Sequence, residues 1–196
     1  MKLIQMAKVR EGRYLKNYEL TYENKAGKEK VYEIVSFRNL NKAEELGEKV
    51  TGLSIVAICG GKMLLLKEFR MGVNERIFNL CAGMLEKGET IEECIRRELY
   101  EETGLSLKKI IRILPPSYAA VAITDIKNQI VFAEVEGTIS EEHTSDNEDI
   151  QAALYSRQEV NRLLETETFS SRAQIAAYMF SIGALDTDAD NKVFID

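Results

Sequence analysis

The sequence predicts a mixed α+β domain preceded by a small antiparallel strand unit. Three observations carry that expectation. Short apolar runs separated by turn residues recur between Tyr14 and Val135. One strongly capped helix, Thr90 to Thr103, interrupts them. Two amphipathic helical stretches follow in the tail.

Tyr14–Tyr22 is rich in aromatic and apolar residues, Glu23–Lys28 is a polar turn, and Val31–Phe37 reads as the return strand. Asn39 to Lys49 is a charged connector, so residues 1–50 form one unit and 51–196 the main domain. Leu53–Ile58 and Met63–Leu66 are buried-strand runs, with Gly60-Gly61 between them as a tight-hairpin signal. Thr90-Ile91-Glu92-Glu93 fits a capping box, and Gly104 fits the helix stop. Strands are expected at Ile110–Leu114 and Gln129–Val135, separated by Pro115-Pro116. An acidic loop runs from Gly137 to Asp149, and helices are expected at Arg157–Leu164 and Ser170–Ile182.

Composition excludes several classes. The 196 residues carry 26 basic and 32 acidic side chains, for a net charge of −6. That balance argues against nucleic-acid binding, which needs concentrated Lys and Arg, but it permits a phosphate substrate held through metal ions. His143 is the only histidine, so a multi-histidine zinc site is excluded. Cys59, Cys81 and Cys94 lack a C-x-x-C spacing and sit among apolar residues, as buried small hydrophobes of a reducing compartment would. No apolar run approaches the ~18 residues of a membrane span, and Met1–Lys8 lacks the apolar core of a signal peptide. The expected location is the cytoplasm.

The chemistry concentrates in Gly83–Leu105. At about 100° per residue, Cys94, Ile95 and Leu99 share the core-facing stripe with Glu98 and Glu102, while Glu101 lies at its margin. Unpaired anions on a buried face repel one another and lose hydration. A divalent cation between them removes both costs, and an all-oxygen donor set suits magnesium or manganese. Arg97 is either the partner of Glu89 across the preceding loop or a surface cation, and Gly83 and Gly88 bracket that loop.

The same segment resembles the signature of the Nudix hydrolase family. Gly83, Glu89, Arg97, Glu98, Leu99, Glu101, Glu102, Gly104 and Leu105 match each fixed position of that signature. The resemblance implies an α/β/α sandwich that hydrolyses a nucleoside diphosphate linked to another moiety, with Mg2+ or Mn2+. It implies Glu98 and Glu102 as metal ligands and catalytic groups, with Glu101 and the backbone carbonyl of Ala82 completing the shell. Gly83, Glu89, Arg97 and Gly104 would brace the loop against the helix.

Beyond the signature, Glu68-Phe69-Arg70 and Ala82-Gly83 are similar to the ADP-ribose pyrophosphatase branch. The branch implies Arg70 and the position of Asn79 as substrate contacts, a general base at Asp146 or Glu148, and a homodimer built with the N-terminal strands. Tyr118 or Phe69 is either a stacking platform for the base or, as an aromatic beside apolar residues more often is, part of the core. The sequence departs from the branch at Asn79, where Glu is usual, at Cys81, where Pro is usual, and across Ser117–Ile126, where Ser-Pro-Gly and a Glu are usual. The expected substrate is a nucleotide sugar such as ADP-ribose. Another nucleoside diphosphate derivative, a triphosphate, or a non-catalytic nucleotide sensor are the alternatives.

Overall fold

The computed structural model describes residues 1–140, 142–145 and 147–186. It comprises two compact units: residues 1–52 with 115–129, and residues 53–114 with the described residues from Ile130 onward.

The first unit is built on the antiparallel sheet β1 (Lys2–Glu11), β2 (Lys16–Glu23) and β3 (Glu29–Ser36), in that order. The turn after β2 is an Asn24 device: its side-chain oxygen accepts from the Ala26 and Lys28 amides. Tyr18, Leu20, Ile34 and Leu40 form the unit's own small core. Strand β1 was not anticipated; its sequence, KLIQMAKVRE, lacks regular alternation and is mostly exposed. Its place is set by pairing to β2, with Leu3 and Met6 packed against the small core.

In the second unit, β4 (Val50–Cys59) and β5 (Lys62–Arg70) meet at Gly60-Gly61. Both glycines have positive φ, 53° and 77°, as a two-residue hairpin turn requires. Then come β6 (Glu75–Asn79), β7 (Cys81–Met84), helix α1 (Ile91–Thr103), β8 (Ser106–Ile113), β9 (Ser117–Tyr118, which belongs to the first unit), β10 (Lys127–Glu136), β11 (Ile150–Tyr155), α2 (Arg157–Thr166) and α3 (Ser171–Ser181). The sheet runs β11-β5-β4-β10-β8, with β6 paired to β5 and β7 to β4. Alternate residues of β5 point to opposite faces. Leu64 and Leu66 join Cys94, Ile95 and Leu99 of α1 in one core. Met63 and Leu65 join Val160 of α2 and Ala173, Ala177 and Phe180 of α3 in the other. The layering is therefore α/β/α, as expected.

All three helices start on a hydroxyl N-cap: Thr90, Ser156 and Ser170. Thr90 and Ser156 close complete capping boxes with Glu93 and Glu159. Gly104 ends α1 at φ 71°, where an added Cβ would meet Ser140 at 2.9 Å. No helix among the described residues is long and apolar enough to cross a membrane. Cys81 and Cys94 are buried and Cys59 only partly so; all three are free thiols.

Candidate active site

Helix α1 presents the carboxylates. Glu98 and Glu102 lie on the face packed into the core, at 8% and 7% exposure, while Glu101 is half-exposed at the margin. The helical spacing placed them so, and the apolar residues around them fix the rotation of the helix. Cys94, Ile95 and Leu99 are all fully buried.

The loop before α1 is held by charge. Arg97 Nε donates to Glu89 Oε1 at 2.8 Å and Nη2 to Glu89 Oε2 at 3.0 Å, a two-point fork. The same Nη2 reaches the Met84 carbonyl at 3.0 Å, and the Glu86 amide donates back to Glu89 at 2.9 Å. These bonds hold Glu89 down to about 2, the Arg97 fork contributing most. Arg97 Nη1 turns inward, to Glu98 at 2.7 Å and Glu101 at 3.2 Å.

Gly83 on β7 shows how close the packing is. A Cβ there would fall 1.6 Å from Glu98 Oε1 and 1.8 Å from its carboxyl carbon. The residue is glycine because the Glu98 carboxylate occupies the space that any side chain would take. Beside it, the Ala82 amide donates to Glu102 Oε2 at 3.1 Å. This orients the Ala82 peptide against the helix.

The electrostatics are those of an anionic site short of cations. Burial pushes Glu102 up to about 8; Glu98 and Glu68 add to the rise, opposed by bonds from Cys81 and the Ala82 amide. Burial also raises Glu98; Arg97 opposes that rise, and Glu101 and Glu148 add to it. Glu148, in the acidic loop, is exposed; its Oε2 accepts from the Ser145 amide at 3.3 Å and hydroxyl at 3.0 Å. Asp146, the other expected base, lies outside the described residues. Tyr100 of α1 stacks on His143 of the same loop, with centroids 4.1 Å apart.

A carboxylate that sequence reasoning did not assign joins this group. Glu68 on β5 is 7% exposed. Asn79 Nδ2 donates to its Oε1 at 2.5 Å and Arg70 Nη1 to its Oε2 at 3.3 Å. Asn79 in turn accepts from the Ser170 hydroxyl at 2.6 Å. The available signal was strand spacing: Glu68 and Arg70 are two apart on one face of β5. Of the two expected aromatics, Phe69 is partly exposed at the end of β5. Tyr118 belongs to the first unit, near Gly47 and with the Lys127 ammonium 4.8 Å from its ring centre.

The donor chemistry fits a hard divalent cation. Glu98, Glu101 and Glu102 offer only oxygen, and Glu102 is buried with no cationic partner among the described residues. Among the described residues, no three acidic, cysteine or histidine side chains converge into a ready-made metal cage. Arg97 Nη1 bridges Glu98 and Glu101, and a cation there would replace that contact.

Comparison with known proteins agrees with this architecture. A NUDIX domain matches residues 49–178, and the chain belongs to that family. It is 34% identical over 89 residues to an ADP-ribose pyrophosphatase of Bacillus subtilis (strain 168), covering 45% of this chain and 48% of that protein. It is 27% identical over 124 residues to an ADP-ribose pyrophosphatase of Escherichia coli (strain K12), covering 59% of each. The matched part thus spans about half the length of these relatives. A crystal structure of an ADP compounds hydrolase has the same fold: TM-score 0.69 at 21% identity, over 91% of this chain and 90% of that one.

Proposed function

We propose that this chain is a divalent-metal-dependent hydrolase that cleaves the diphosphate bond of a nucleoside diphosphate joined to a sugar, of which ADP-ribose is the type. The observation that carries it is the buried Glu98–Glu102 pair, backed by Glu68, in which Glu98 shares Arg97 with its neighbours and Glu102 meets no cation among the described residues. The ADP-ribose pyrophosphatases among its relatives support the substrate class.

Glu98, Glu101, Glu102 and the Ala82 peptide would hold magnesium, with manganese as a substitute. When bound, the metal neutralises charge on the diphosphate and lowers the pKa of the attacking water. The chain's own residues do the rest. Glu148, fixed by Ser145, accepts the water proton as the base. Arg70 holds a phosphate oxygen, steered by Glu68 and, through it, by Asn79. The Glu89–Arg97 fork keeps β7 and the Glu98 carboxylate in register. Water adds to one phosphorus as the bridging P–O bond breaks, leaving a nucleoside monophosphate and a sugar phosphate.

The test is turnover of ADP-ribose, other nucleotide sugars, dinucleotides and triphosphates, with magnesium, with chelator, and with Glu102→Gln. Metal-dependent cleavage lost in the variant is expected. Binding without turnover of any compound would make the chain a nucleotide sensor instead. The exposed Ile4, Val9, Val31 and Tyr32 of the first unit's sheet support a homodimer, which light scattering on a sizing column checks.

A further inference from the structure

Arg172 is out of place by three separate physical criteria. It stands in the first turn of α3, two residues after the Ser170 cap. The helix dipole is positive there, so a cation costs stability instead of adding it. Its Nε is buried and has no hydrogen-bond partner among the described residues. A buried N–H left unpaired is costly, and folded proteins seldom tolerate one without a ligand or water to satisfy it. Finally, Arg172 makes no ion pair among the described residues. The charged group that bears on it is another cation, Arg70; burial and then Arg70 lower its pKa from the usual arginine value.

The position of this misfit is informative. Ser170 is bonded to Asn79, Asn79 to Glu68, and Glu68 to Arg70. Arg70 belongs to that network, Arg172 stands two residues after its Ser170 in the first turn of α3, and Glu68 of the network also acts on Glu102. Two guanidinium groups that repel each other, one of them with an idle buried N–H, beside a helix N-terminus, make a receptor for a multivalent oxyanion.

We propose that Arg172 is a further substrate-binding residue, forming with Arg70 a two-guanidinium clamp on a phosphate of the substrate. This deepens the hydrolase reading and rests on it for the identity of the phosphate's owner. The anion satisfies the Arg172 Nε, screens the Arg70–Arg172 repulsion and complements the α3 N-terminus. The clamp selects for the diphosphate, whatever nucleoside or sugar is attached.

The probe is inorganic pyrophosphate, with ADP in parallel, titrated calorimetrically into the full chain in the presence of chelator. Metal binding then plays no part, so the result does not depend on catalysis. We expect the wild type to bind both. Arg172→Met should weaken both by about tenfold or more, and Arg172→Lys should recover part of the loss. The thermal midpoint of unliganded Arg172→Met should hold or rise, because a buried and unpaired guanidinium N–H has been removed. Arg172→Gln serves as a second variant. With any substrate that is turned over, KM should rise more than kcat falls. Equal affinity in wild type, Arg172→Met and Arg172→Gln would overturn the clamp. So would a lowered midpoint with binding lost in proportion, or no pyrophosphate binding by the wild type. Failure of every substrate in the turnover panel would sink the hydrolase reading and leave the pyrophosphate result standing by itself.

Discussion

The two sides of the carboxylate cluster are built on opposite principles. On the side of the loop before α1, nearly every charge has its counter-charge. Arg97 is shared among Glu89, Glu98, Glu101 and the Met84 carbonyl, and Glu89 receives the Glu86 amide as well. On the β5–β6–α3 side the pairing is incomplete. Arg70 has one carboxylate contact, at 3.3 Å, and Arg172 has a buried N–H with no partner. A fully paired network holds geometry, whereas an underpaired one is free to take up a ligand. On the proposed reading, the loop side positions the reacting groups and the strand-end side selects what they react with.

Glu102→Gln should have the largest effect, since it removes a buried carboxylate, the proposed metal ligand, without changing shape. We expect at least about a thousandfold loss in kcat, equivalent to several kcal/mol of charge stabilisation. Magnesium at a hundred times its Kd should stabilise the wild type by about 2.7 kcal/mol in thermal unfolding, and the variant far less. A midpoint indifferent to magnesium in both proteins would count against the metal site.

Gly83→Ala comes next. Its Cβ must displace the Glu98 carboxylate, so about a hundredfold loss in kcat/KM is expected from misplacement of one group. The fold should survive, because the carboxylate is a movable side chain; circular dichroism and a melt separate the two outcomes.

The strand-end side is probed by Asn79→Asp. It removes the donor to Glu68 and sets two carboxylates together, for a loss of about 1–3 kcal/mol in denaturant unfolding. The exchange Glu68→Gln with Asn79→Asp restores one amide and one carboxylate and should recover most of that loss. A double-mutant cycle reads the coupling, and strict additivity would mean that the two side chains do not interact.

The smallest effect tests the loop side by pH. Glu89 has its folded pKa lowered to about 2 from an ordinary 4.5, chiefly by Arg97. Its contribution is therefore fully present above the unfolded value and is lost as pH falls from about 4.5 towards 2. The gap in thermal midpoint between wild type and Glu89→Gln should be widest at neutral pH and close in that acid window. A gap that does not change with pH would mean that the pair contributes shape and not charge.

Much of the loop side was legible in the sequence. The spacing from Gly83 to Leu105 sets helix rotation, and rotation alone places Glu98 and Glu102 inward with Cys94, Ile95 and Leu99. The Thr90 capping box and the Gly60-Gly61 hairpin are also local chemistry and were read correctly. Strands β6, β7 and β11 were not anticipated. They are short, four to six residues, and owe their form to ladders with β5 and β4. Only the start of the acidic loop's partner strand betrays itself: Ile150 pairs with Glu68, which brings the loop bearing Glu148 towards the carboxylates.

What the sequence determined by itself was everything encoded within one turn or one heptad: the caps, the hairpin, the charged face of α1, and through its signature the family. What only the tertiary structure decided was how distant segments meet. Glu68, Asn79, Ser170 and Arg172 span about half the chain, and nothing local marks them as partners. Their meeting depends on sheet register and on how α3 packs on the β5 face, both set by the burial of apolar side chains elsewhere. The short-range code is carried by hydrogen bonds and helical period, while the site's selective half is assembled by long-range packing.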